Sequence, residues 1–212
     1  MIEERESIGY LLGETAHLLR ANAGLAAVAL GVLTAIGVAA DLYPGLGSLG
    51  SGIASLVLQY EISSALLVHY HLIDSRDRRR RLWALLGLNL LSTLGIALGL
   101  VLLILPGAYL FVRWSAAVPA LIAEDAGVGE SLGTSARAVE GRYWHVLAAF
   151  LVLWAPGLAG AIASALVADS EQLIGSLMMN LSINLCLIAG WHLAVAIYAG
   201  RQDGGRLAQV FE

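Results

Sequence analysis

Six apolar stretches, each close to the length that crosses a bilayer, recur along this chain and constrain it more than any motif does. An α-helix rises ~1.5 Å per residue, so about 20 residues traverse the hydrocarbon core. The stretches fall at about 23–42, 51–73, 82–105, 107–123, 144–168 and 173–199. Hydrophobic residues make up 58% of the 212 and charged residues 13%, well under the roughly 25% charged in a soluble domain. The loops between stretches are too short to hold a soluble catalytic domain. The expected fold is an all-α polytopic membrane protein forming one transmembrane domain over 1–212.

Two further segments have helical spacing but cannot span. In 7–21, Ile8, Leu11, Leu12, Thr15, Leu18 and Leu19 recur on one face, with Glu14, His17 and Arg20 among the polar positions. A second amphipathic run covers 129–142. Both are expected to lie at the membrane interface. The start, MIEERESIGY, is acidic and lacks the basic region and short apolar core of a cleaved signal peptide, so the mature chain is expected to begin at Met1.

The arginines set the orientation. All 12 basic residues are arginine, and the single cysteine, Cys186, lies in an apolar run. With six spans, Arg5, Arg20, Arg76, Arg78, Arg79, Arg80, Arg81, Arg137, Arg142, Arg201 and Arg206 share one side, and the other side receives only Asp41, Asp169 and Glu171. That asymmetry places both termini in the cytoplasm. Trp83, Tyr143, Trp144 and Tyr198 suit an aromatic belt on the same side.

Arg113 is the one arginine left inside the membrane, and an intramembrane charge marks a functional site with a partner by default. Measured from the same, outer side, Glu61 and Arg113 lie about 15 and 10 Å deep, a difference two long side chains can close, so a Glu61–Arg113 pair is expected. It is either a static pair that fixes register or part of a site for an anionic headgroup or an ion. Glu61, Ser64, Val68 and His71 fall on one arc of the second stretch. Gln59, Asn89, Asn180, Asn184 and His192 add polar groups to the interior, where Asn and Gln glue helices more often than they bind solutes.

Gly95 and Gly99 read as a close-packing notch, and Pro106-Gly107 as the tight turn between the third and fourth spans. His69 and His71 point apart on a helix and cannot chelate one metal. The run Arg78, Arg79, Arg80, Arg81 is topogenic or a contact for anionic headgroups; abutting a membrane, it does not suggest nucleic acid. No phosphate-binding loop, zinc or haem spacing, or Ser/His/Asp arrangement stands out, so no cofactor, metal or catalytic residue is assigned.

A candidate internal repeat appears at offsets of 120 and 121. The first sets Leu12-Gly13 on Leu132-Gly133, Ala16 on Ala136 and Val32-Leu33 on Val152-Leu153; the second sets Gln59 on Asn180, Ser63 on Asn184 and His71-Leu72 on His192-Leu193. The shared plan is an amphipathic helix, a span, an outer link and a span, in parallel orientation.

The stretch LPGAYLFVRWSAAVPALIAEDAGVGESLGTSARAVEGRYWHV, from Leu105 to Val146, resembles a superfamily of six-span bacterial inner-membrane proteins of uncharacterised function. Members include the membrane domain of some glycerophosphodiester phosphodiesterases and small UPF-type inner-membrane proteins. Leu105-Pro106-Gly107, Tyr109, Arg113, Pro119, Glu124, Ser135, Gly141 and Trp144 carry the likeness. The resemblance implies an all-helical bacterial inner-membrane domain, with a lipid-related role where the domain is fused to a phosphodiesterase; this chain carries no such enzyme domain, and the resemblance supplies no catalytic residues.

Three functions follow as expectations. The first is a non-enzymatic module that binds or organises lipid or supports a membrane partner. The others are a small solute or ion transporter and an accessory subunit of a larger complex. Implied partners are membrane lipids and a membrane protein or a second copy.

Overall fold

The computed structural model describes residues 7–43, 47–74, 82–167 and 172–210. Their secondary structure is helical throughout: α1 (Ile8–Ala21), α2 (Ala23–Leu42), α3 (Gly47–His69), α4 (Leu82–Leu102), α5 (Ile104–Trp114), α6 (Ala117–Ala123), α7 (Val128–Val139), α8 (Tyr143–Val167) and α9 (Gln172–Val210). Six units are long and apolar enough to cross a membrane: α2, α3, α4, α5 with α6, α8 and α9. The chain therefore has the architecture of a multi-pass membrane protein.

The centre is α9, packed against α1, α2, α3, α6, α7 and α8. Its residues Trp191–Ala199 are buried in unbroken succession, as expected for a helix apolar on every side and enclosed by neighbours. Direction is fixed by contacts along its length. An ideal Cβ at Gly37 would collide with the Asn180 side chain, and Asp41 bonds Ser176, so α2 runs antiparallel to α9. An ideal Cβ at Gly157 would collide with Cys186 Sγ and one at Gly160 with Ser182 Oγ; α8 is antiparallel as well. The bundle thus has a basic end, with Arg20, Arg137 and Arg142, and a far end with Asp41.

The amphipathic helices differ from expectation in what covers their apolar faces. Ser7 caps α1 by accepting from Tyr10 N–H at 3.1 Å, and Leu11, Thr15 and Leu18 are buried against the protein. On α7, Ser131, Leu132, Ser135, Ala138 and Val139 are buried, while Glu130, Arg137 and Glu140 face outward. Gly141, at φ +82°, ends α7 in the left-handed conformation that glycine adopts without steric cost.

Three boundaries move. The helix in the second stretch ends at His69 rather than 73. The turn before the fourth span is at Leu103, extended at φ −161° and ψ 138°, and not at Pro106-Gly107. Those two lie in the first turn of α5, where proline's missing N–H forfeits no helical bond. The fourth span breaks at Ser115-Ala116, because the Pro119 ring excludes the regular helical position of the Ser115 carbonyl four residues back.

Gly95 and Gly99 form the expected notch within the chain. A Cβ at Gly99 would lie 2.8 Å from Gly107 Cα, and one at Gly95 would lie 2.5 Å from the Trp114 ring. The candidate repeat is not matched by packing. A two-fold relation would turn the α2–α9 contact into an α3–α8 contact and α1–α9 into α3–α7, and neither is among the main contacts of the described residues.

Candidate functional site

The break in the fourth span organises the polar chemistry of the basic end. Interrupting the helix frees the Arg113 carbonyl and the Ala116 N–H. Ser135, fully buried on α7, takes both: its hydroxyl donates to Arg113 O at 2.8 Å and accepts from Ala116 N at 3.0 Å. Immediately after α6, Glu124 accepts from Thr134 Oγ1 at 2.9 Å and from Tyr198 OH at 3.2 Å. Arg137 donates to Thr134 Oγ1 and Gln202 to Tyr198 OH. The network thus joins α6, α7 and α9.

Arg142 closes the same end. Only 6% exposed, it donates through Nε to Ala138 O at 2.9 Å and through Nη2 to Ile197 O at 2.6 Å. A planar guanidinium suits such a bridge between two carbonyls. Counting arginines placed Arg142 in a basic loop and missed this role. Pro119 in mid-span was the signal for Ser135, since freed backbone groups inside a membrane need a partner.

The predicted polar residues are brought together only in part. The guanidinium of Arg113, half-buried, lies 5.5 Å from the Tyr109 ring centroid, one turn back on α5. Arg113 and Glu61 are not brought together. The reason is packing: α5 lies against α4, α7 and α8, whereas α3, which carries Glu61, meets α6. Gln59 and Asn89 do meet, with Asn89 Nδ2 donating to Gln59 Oε1 at 3.1 Å and tying α3 to α4. Asn180 bonds Asp41 at 2.8 Å and the Ser176 carbonyl at 2.9 Å, and Asn184 is buried separately.

Ser64 and His192 are wholly buried. His192 Nδ1 is 2.8 Å from Ile188 O, while its Nε2 and Ser64 Oγ have no hydrogen-bond partner among the described residues. His71 is not on the helical arc with Ser64. It follows the end of α3 with a positive φ of 55° and is exposed. With Val68, Leu72, Ile73 and Asp74 it lines an open groove of about 400 Å3. His69 turns the other way, toward His17, ring centroids 6.2 Å apart. Arg78, Arg79, Arg80 and Arg81 lie outside the described residues. No group of three metal-ligating side chains occurs among the described residues.

The stretch that carried the family likeness is now a set of structural parts. Pro106 lies in the first turn of α5, Ser135 bonds across the break that Pro119 imposes after Arg113, Glu124 collects hydroxyls, Gly141 ends α7, and Trp144 lies in the first turn of α8. No family model, curated protein or solved structure matches the chain, and the chain stands as a multi-pass membrane protein by its six apolar helical spans.

Proposed function

We propose that the protein is a non-enzymatic component of a bacterial inner membrane, with both termini cytoplasmic, that binds or organises lipid or supports a membrane partner that does. The groove beyond α3 carries this reading. Its walls are apolar, from Val68, Leu72 and Ile73, and its polar side chains are His71 and Asp74; that combination suits the boundary between acyl chains and headgroups. The four arginines that follow in sequence, Arg78 to Arg81, supply the charge that attracts acidic headgroups to a cytoplasmic leaflet.

The test is purification into polymer-bounded native discs, with the retained lipids compared with bulk membrane by mass spectrometry. Enrichment of an anionic lipid that falls in Val68→Trp, which fills the groove, supports the reading. Retained lipid of bulk composition in both forms refutes it, and a stoichiometric co-purifying protein would favour the accessory role.

A second reading, transport of a small solute or ion, is favoured by the unpartnered Ser64 Oγ and His192 Nε2, since buried polar groups are ordinarily satisfied. Uptake into proteoliposomes that is lost in His192→Leu would support it.

A further inference from the structure

We propose that the α4–α5 hairpin enters the membrane obliquely and to partial depth, so that its turn at Leu103 ends among lipid acyl chains rather than in the aqueous phase beyond. The inference does not depend on the lipid-binding reading above.

The first observation is chemical. From Leu94 to Ala108 every residue is apolar or glycine, and the turn sits in the middle of that run. Its side chains are also uncovered: Val101 is 84% exposed, Ile104 75% and Leu105 82%. A connection that emerges into water would present this whole aliphatic surface to solvent. The two other far-side links carry acidic residues at or beside them, Asp41 just before one and Asp169 and Glu171 in the other.

The second observation is depth. Tyr109 stacks on Tyr143, which opens α8 at the basic end, with ring centroids 5.6 Å apart. Phe111 contacts Phe150 and Trp154 at 4.9 and 5.2 Å. Eight residues separate Leu103 from Phe111, a rise of about 12 Å even for an upright helix. From Trp154 to the far end of α8 is about 20 Å, and α8 carries exposed apolar side chains at Leu158, Ile162 and Leu166. The turn therefore stops roughly 8 Å or more short of where α8 leaves the hydrocarbon.

The backbone reduces, without removing, the polar groups that such a site must bury. Only Leu103 departs from helix, and its N–H donates to Gly99 O at 3.0 Å. Pro106 removes a first-turn donor that would otherwise need a partner, and Gly99 against Gly107 lets the arms close tightly. Sidedness is unchanged, because α4 begins and α6 ends on the same side whether or not the hairpin crosses.

The experiment places single cysteines in a Cys186→Ala background. Leu103→Cys and Ile104→Cys report on the turn, and Tyr43→Cys on the far-side link. In sealed vesicles of either orientation, an impermeant maleimide is expected to label both turn cysteines roughly tenfold more slowly than Tyr43→Cys, with labelling restored by detergent. Labelling of the turn from the same side and at the same rate as Tyr43→Cys overturns the proposal.

Should the variants fail to fold, hydrogen–deuterium exchange of the unaltered protein in lipid discs decides. The amides of Ile104 and Leu105 have no helical acceptor and would exchange within seconds in water. Protection there supports burial in lipid, and rapid exchange overturns it.

Discussion

Ser135→Ala removes a single oxygen and leaves two backbone groups without a partner. The Ala116 N–H, on a residue with no solvent exposure, loses its 3.0 Å bond, and the Arg113 carbonyl loses its 2.8 Å bond. An orphaned buried donor or acceptor costs about 1–3 kcal/mol, so the substitution should destabilise the protein by roughly 2–4 kcal/mol. The break exists because of Pro119, and Pro119→Ala allows the helix to close through Ser115-Ala116. The cost of Ser135→Ala should therefore shrink by about 1 kcal/mol or more in the Pro119→Ala background, a coupling of the size neighbouring residues show. Reversible unfolding in mixed micelles, followed for the four members of the cycle, measures both quantities. A Ser135→Ala cost below about 0.5 kcal/mol, or a cost indifferent to residue 119, would refute the account of Ser135 as the patch on a proline-broken span.

Three other outcomes are expected. Arg142→Met should cost about 3 kcal/mol or more, because it forfeits charged hydrogen bonds to the carbonyls of Ala138 and Ile197; Arg142→Lys should recover only part, lacking the planar fork, as unfolding midpoints would show. Gly157→Ala should loosen the α8–α9 contact, since its Cβ would press on Cys186 Sγ, and Cys186→Ala should restore part of the loss in the same assay. Arg113→Ala should lower stability by about 1 kcal/mol or less, the range of an exposed cation–π contact. A loss of lipid enrichment or uptake without a matching stability change would instead assign Arg113 to a working site.

Much of the architecture was legible in one dimension because the bilayer imposes a length and a polarity on every crossing helix. The apolar stretches marked six helices of spanning length, and helical spacing marked the segments that form α1 and α7, with Leu11, Thr15 and Leu18 on the apolar face of the first. Gly95 and Gly99 were readable as a notch because small residues spaced one turn apart have few other uses between apolar helices. Boundaries were less legible. Continuing the second stretch to 73 took His71 for a helical residue, since nothing in VHYHLID announces a positive φ at that position.

The site was less legible still, and for a definite reason. Matching Glu61 with Arg113 by depth used one coordinate, whereas an ion pair needs adjacency around the bundle as well, and that is set by which helices touch. The order α3 against α6, and α5 against α7 and α8, is written in side-chain fit across many residues far apart in sequence. Asp41 with Ser176, Glu124 with Tyr198, and Arg142 with the Ile197 carbonyl are likewise 135, 74 and 55 residues apart in sequence. The sequence alone determined that this is a multi-pass helical membrane protein with six apolar helices of spanning length, and which end is basic, because the bilayer acts on each helix locally. Only the tertiary structure decided which polar groups meet, because partner choice depends on the rotation and neighbours of each helix, and these follow from the packing of the whole bundle.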